Sequence, residues 1–188
     1  MLHTFAVYVE NKPGVLNRVA SLFRRRAYNI ESLTVGHTEK PGVSRMTIVV
    51  DTDETGARRL EAHLYKLVNV LLVEDISTIP AVTRDLAMIK ISANFENRSQ
   101  VLQLAHVFRA RVVDVSTDSV IVEITGTEDK IDGLLEVLRP YGILEMVRTG
   151  RVAMARGAKA ASAAVSANGG GALYADEFSQ PEDISYSV

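Results

Sequence analysis

Hydrophobic positions recur with a period of two over residues 2–9. His3, Phe5, Val7 and Val9 fall on one side and Leu2, Thr4, Ala6 and Tyr8 on the other, which predicts a strand. From Pro13 the period lengthens: Val15, Leu16, Val19, Leu22 and Phe23 mark one face of a helix. Arg24, Arg25 and Arg26 close it, and three cations in a last turn complement the negative end of the helix dipole more simply than they make a phosphate site. Residues 30–36 and 44–51 read as strands joined by a polar loop containing Pro41 and Gly42. Residues 53–66 carry Ala57, Leu60 and Leu64, with Leu67 following, at helical spacing, and 70–79 return to strand character.

After a break at 80–84 the order begins again. Residues 86–92 form an apolar strand, and 98–108 a helix with Val101, Leu102, Ala105 and Phe108 on one face. Residues 112–115 and 120–125 form a strand pair turning at Thr117, Asp118 and Ser119. Thr127 caps a helix with Glu128 and Asp129 in its first turn and Ile131, Leu134, Leu135 and Leu138 inward. Pro140 and Gly142 end it, and a last strand spans 143–154 with Arg148 and Arg151 interspersed and Arg156 just beyond. The predicted fold is α+β: two tandem ferredoxin-like βαββαβ units, each a four-stranded antiparallel sheet with two helices on one face, over residues 1–80 and 84–157. Residues 158–188 are rich in Ala, Ser and Gly and then mildly acidic, a composition that predicts a disordered tail.

Composition narrows the function. With 188 residues, 47% of them hydrophobic, the chain has ample material for folded cores. A net charge of −2, from 21 basic and 23 acidic residues, gives no electrostatic case for nucleic acid or an anionic membrane. The absence of cysteine excludes disulfides and thiolate metal sites. No run approaches a membrane span, and residues 1–4 lead straight into a strand pattern, so the expected compartment is the cytoplasm.

A catalytic constellation is not legible. His3, His37, His63 and His106 fall on different elements without metal-ligand spacing, and His3 and His63 read as packing or surface residues. Neither a nucleophile elbow nor a phosphate-binding glycine loop is present. Glu10 and Glu31 are more simply a solvated strand end or a partner to Arg18 than a carboxylate pair. The turn Asn11-Lys12-Pro13-Gly14 stands apart. Proline at a helix start loses no hydrogen bond, glycine permits close approach, and the free N–H groups there suit a carboxylate. By itself it is equally a well-capped helix start.

Asn29 lies at the other end of the first helix and should be far from Gly14 in one chain. A two-fold pair of chains would bring Asn29 of one copy to Gly14 of the other. Such a cleft suits a zwitterionic amino acid: carboxylate on the N–H groups near Gly14 and Val15, ammonium on the amide oxygens of Asn11 or Asn29, side chain against Leu16 and Ile30.

The stretches V-E-N-K-P-G-V-L, Y-N-I-E-S-L-T-V, S-R-M-T-I-V-V, L-Y-K-L-V-N-V-L, F-R-A-R-V-V-D-V, I-T-G-T-E-D-K-I-D and V-R-T-G-R-V-A-M-A-R-G, in this order, resemble the small regulatory subunit of acetohydroxyacid synthase, also called acetolactate synthase, from residue 1 to about 157. The resemblance implies that the first unit is an ACT domain binding valine, and often other branched-chain amino acids, at a homodimer interface. It implies effector contacts at Asn11, Gly14, Val15 and Leu16 of one chain and Asn29 and Ile30 of the other. It further implies a non-catalytic chain that activates a catalytic subunit using thiamine diphosphate, magnesium and FAD. In that family a glycine usually stands where this chain has Ala27, and alanine in a left-handed cap costs about 1 kcal/mol. A free-standing amino-acid sensor or transcriptional co-regulator is the alternative; no helix-turn-helix or basic stripe supports it. A small acyl-chemistry enzyme ranks below both.

Overall fold

A computed structural model describes residues 1–157; the expectation of a disordered tail from residue 158 lies outside the described residues. Strand β1 (Leu2–Glu10), helix α1 (Val15–Arg25), strands β2 (Ile30–His37) and β3 (Val43–Asp51), helix α2 (Glu54–Leu64) and strand β4 (Val70–Asp75) build a sheet ordered β2-β3-β1-β4. Every pairing is antiparallel. Alternation on β1 does what its period demands. Phe5, Val7 and Val9 enter the core beneath the helices with Val19, Leu22, Phe23, Leu60 and Leu64, while Ala6 and Tyr8 face the opposite side. Asp53 caps α2, its carboxylate accepting from Gly56 N–H at 2.7 Å. Tyr28 packs edge-on against Phe23 and donates its hydroxyl to Gly56 O at 3.1 Å, which ties the end of α1 to the start of α2.

The pattern repeats as β5 (Ala81–Ser92), α3 (Arg98–Val107), β6 (Arg111–Val115), β7 (Ser119–Gly126), α4 (Glu128–Leu138) and β8 (Ile143–Arg148), with order β6-β7-β5-β8. Its core joins Ile89, Ile91, Val120, Val122 and Ile124 to Val101, Ile131, Leu134 and Leu138 from the helices. Two ferredoxin-like units are thus present. Their helices α1 and α3 end alike. Tyr28 N–H bonds to Phe23 O at 3.1 Å and Ala110 N–H to Ala105 O at 2.8 Å, with Ala27 and Arg109 left-handed at φ 56° and 55°.

The structure departs from the sequence reading at several places. The last strand is not continuous: β8 ends at Arg148, and a separate strand β9 (Val152–Ala155) pairs with the start of β5, Val82 opposite Met154 and Arg84 opposite Val152. The break expected at 80–84 therefore falls at 76–80, because residues 81–84 find a partner far along the chain. β9 lies on the face of the first sheet that the helices leave open, where Ala153 packs with Ala6, Tyr8 and Ile76. Arg45 donates to Ala153 O at 2.6 Å and stacks over Tyr8. β4 stops at Asp75 rather than continuing to residue 79, as Ile76 turns into this second core. Leu16 leaves the inner stripe of α1 and is 43% exposed. Thr127 occupies the N-cap of α4 without a side-chain hydrogen bond.

Candidate functional site

The turn before α1 is held by backbone. Asn11 N–H donates to Gly42 O at 2.8 Å and Lys12 N–H to Glu10 O at 2.9 Å. Gly14, at φ 80°, is the N-cap of α1; no side chain caps this end and no acidic residue stands in the first turn. A β-carbon placed on Gly14 would meet nothing within 4 Å, so the N-terminal end of the helix opens onto free space. Val15 N–H donates to Lys12 O at 3.4 Å, and the positive end of the helix dipole at this open end favours a nearby anionic group. Beside it, Asn11 is exposed, with its Nδ2 3.5 Å from His37 Nδ1.

Asn11, Gly14, Val15 and Leu16 therefore come together in one chain. The Val15 side chain is buried, whereas the exposure of Leu16 leaves an apolar side chain beside the helix end. Asn29 and Ile30 do not join them. The 11 residues of α1 interpose about 16 Å of helix axis. Asn29 is exposed, its Nδ2 donating to Glu31 Oε1 at 2.5 Å; Ile30 is half-buried against the first core. Ile30 begins β2, an edge strand of the first sheet, and Asn29 immediately precedes it.

The charges around the turn are mutually satisfied. Asn69 Nδ2 donates to Glu10 Oε2 at 2.6 Å, and Lys12 lies 3.1 Å from the same oxygen. The Asn69 hydrogen bond first, and Lys12 second, hold the Glu10 carboxyl below the usual range despite some desolvation. Of the two readings of Glu10, a solvated strand end or a partner to Arg18, direct pairing is not formed; the Arg18 guanidinium donates to Asn69 Oδ1, so the amide stands between the two charges.

One trio resembles catalytic machinery in composition. Asp75 accepts from His3 Nδ1 at 2.8 Å and from the Ser77 hydroxyl, while Ser77 Oγ accepts from Thr4 N–H at 2.7 Å. The order is wrong for nucleophilic catalysis: the serine bonds to the carboxylate, not to the imidazole, so no base takes its proton. His3 is buried, and its Nε2 has no partner.

Sequence reasoning missed the contacts that the second unit makes with β2. Arg151 N–H donates to Ser32 Oγ at 2.6 Å, and Thr34 Oγ1 donates to Arg151 O at 2.9 Å. The arginine itself was visible as a cation breaking an apolar strand. Its partners, more than a hundred residues earlier, were not.

Residues 5–72 match a family model described as an AHAS small subunit-like ACT domain, and residues 84–157 one described as the small subunit of acetolactate synthase. The chain is 53% identical over 159 residues to the probable acetolactate synthase small subunit of Archaeoglobus fulgidus, covering 85% of this chain and 99% of that one. It is 47% identical over 162 residues to the acetolactate synthase small subunit of Mycolicibacterium smegmatis, covering 86% and 95%. The crystal structure of the acetolactate synthase small subunit from Thermotoga maritima superposes with a TM-score of 0.80 at 40% identity, covering 85% of this chain and 99% of that chain. With both units matched and a relative this similar along its whole length, the chain belongs to the acetolactate synthase small subunit family.

Proposed function

We propose that this chain is the regulatory, non-catalytic subunit of a cytoplasmic acetolactate synthase. It activates a catalytic large subunit and confers feedback inhibition by valine on branched-chain amino acid biosynthesis. Thiamine diphosphate, magnesium and FAD belong to the large subunit in this reading, and the chemistry stays there. The observation that carries it is the open, uncapped N-terminal end of α1 at Gly14, with amide and apolar side chains beside it. An α-carboxylate on these N–H groups, an α-ammonium on Asn11 or on Asn29 of a second copy, and a branched side chain against Leu16 and Ile30 would use every group present. The separation of Asn29 from Gly14 within one chain favours a site completed by a homodimer. Effector bound across two chains stabilises one arrangement of the pair, and inhibition follows if the large subunit binds that arrangement differently.

The test is calorimetric titration of the purified chain with L-valine, repeated on Gly14→Asp. The added carboxylate stands where the effector's would, so affinity falls at least about tenfold, ~1.4 kcal/mol. Equal binding by both proteins refutes this placement. Absence of binding to valine, leucine and isoleucine by the wild type refutes feedback altogether.

A further inference from the structure

Arg151 joins the two units at β2, the strand that begins at Ile30 just after Asn29. Its backbone is clasped by Ser32 and Thr34 of β2, and its guanidinium reaches Thr4 Oγ1 at 3.4 Å and Glu128 Oε2 at 3.2 Å, the latter on α4 of the second unit. Arg148 lies 4.0 Å from the same Glu128 and donates to Asp85 at 2.7 Å and to Asp132 at 2.9 Å. Gly150 permits the approach: a β-carbon there would stand 2.6 Å from Ser32 Oγ and 2.9 Å from Leu33 O. The clasp is therefore specific to a residue without a side chain at position 150.

Toward the effector end the link runs along the backbone of β2 itself. The pairing of β2 with β3 shifts register between Ile30 and Ser32, so Glu31 is the additional residue of a β-bulge. Its carboxylate accepts the Asn29 amide at 2.5 Å. An α-ammonium seated on Asn29 Oδ1 attracts the Glu31 carboxylate and competes for it, and a bulge is where a strand re-aims its side chains with least loss of pairing. Ser32, the next residue, holds Arg151, and Arg151 holds Glu128.

We propose that the contact of Ser32 with Arg151 is the positioning element through which occupancy of the amino-acid cleft reaches the second unit, and from there the large subunit. The inference rests on the effector reading above. The experiment separates binding from its transmission.

Full-length Ser32→Ala and Glu128→Gln, which remove the hydroxyl at one end of the clasp and the negative charge at the other, are each measured twice. Valine affinity of the isolated chain is read by calorimetry, and inhibition is read in the enzyme reconstituted with the acetolactate synthase large subunit. Affinity of the isolated chain stays within about twofold, while the valine concentration for half-inhibition rises about fivefold or more, or inhibition becomes incomplete at saturation. Glu128→Gln alters a half-exposed side chain and carries the same expectation should Ser32→Ala impair reconstitution. A merely structural contact would lower the melting temperature and leave inhibition intact. Unchanged inhibition with unchanged binding overturns the path alone, as does loss of valine binding by either isolated variant. No valine binding by the wild type overturns the effector reading and this inference with it.

Discussion

Replacing Ala27 and Arg109 by glycine should stabilise the protein. Both residues adopt positive φ after a helix, and a β-carbon in that conformation costs about 1–2 kcal/mol. Glycine removes this strain but adds freedom to the unfolded chain, worth about 0.4–1 kcal/mol in the opposite direction. The net gain is therefore about 0.5–1 kcal/mol at each site. The two positions lie in different units with separate cores, so the gains should add to about 1–2 kcal/mol in the double variant. Urea denaturation at one fixed protomer concentration reads this as a higher midpoint at constant slope, accompanied by a rise in melting temperature of about 2–4 °C per kcal/mol. Because φ is already positive at Ala27, Ala27→Gly should leave the path of the chain into Asn29 unchanged and, on the proposed effector reading, valine affinity with it. A destabilised single variant, or one with no shift at all, would refute the assignment of strain to these caps.

Protonation of Asp75 supplies a second test. Burial alone would raise its pKa, but hydrogen bonds from the Ser77 hydroxyl and backbone and from His3 outweigh it and hold the carboxyl below its ordinary value. A lowered carboxyl pKa contributes stability that is complete above the unfolded value, about 3.9, and is lost as pH falls through the folded one. Wild type should thus lose more stability between pH 5 and pH 3, as about one group's contribution, than Asp75→Asn does; parallel losses in the two proteins would exclude the effect. Phe23→Ala removes a fully buried ring that packs against Tyr28 and should cost about 3–5 kcal/mol, seen as a lowered urea midpoint. A loss under about 1 kcal/mol would mean that the site collapses around the deletion.

Where local period decides the outcome, the sequence was sufficient. The alternation of Phe5, Val7 and Val9 against Ala6 and Tyr8, and the stripe of Val19, Leu22 and Phe23, each bury a face whose identity depends only on neighbours in the chain. The same holds for the proximity of Asn11 to Gly14 and the remoteness of Asn29, which follow from the length of one helix. Residues 143–154 failed because their apolar run carries no mark of the point where it leaves one sheet for another. That point is set by the approach of Gly150 to Ser32 and Leu33, a tertiary constraint. Leu16 was misplaced for a related reason: a helical stripe wider than the core it faces leaves one member outside. Glu10 at the end of β1 and Arg18 on α1 have opposite charges, yet Asn69, supplied by the approach to β4, bonds to both.

The 12-residue strand β5 belongs to both halves of the molecule. Its first residues pair with β9 over the first sheet, and its remainder is a central strand of the second, along a length of about 40 Å. The two halves are consequently not beads on a string. A cut at residue 84, where the second family match begins, falls inside this strand and strips Ala153 from Ala6, Tyr8 and Ile76. The isolated first half would then present an apolar sheet face to water. Fusions and swaps between such proteins should keep residues 81–155 in one piece together with the first sheet that β9 covers.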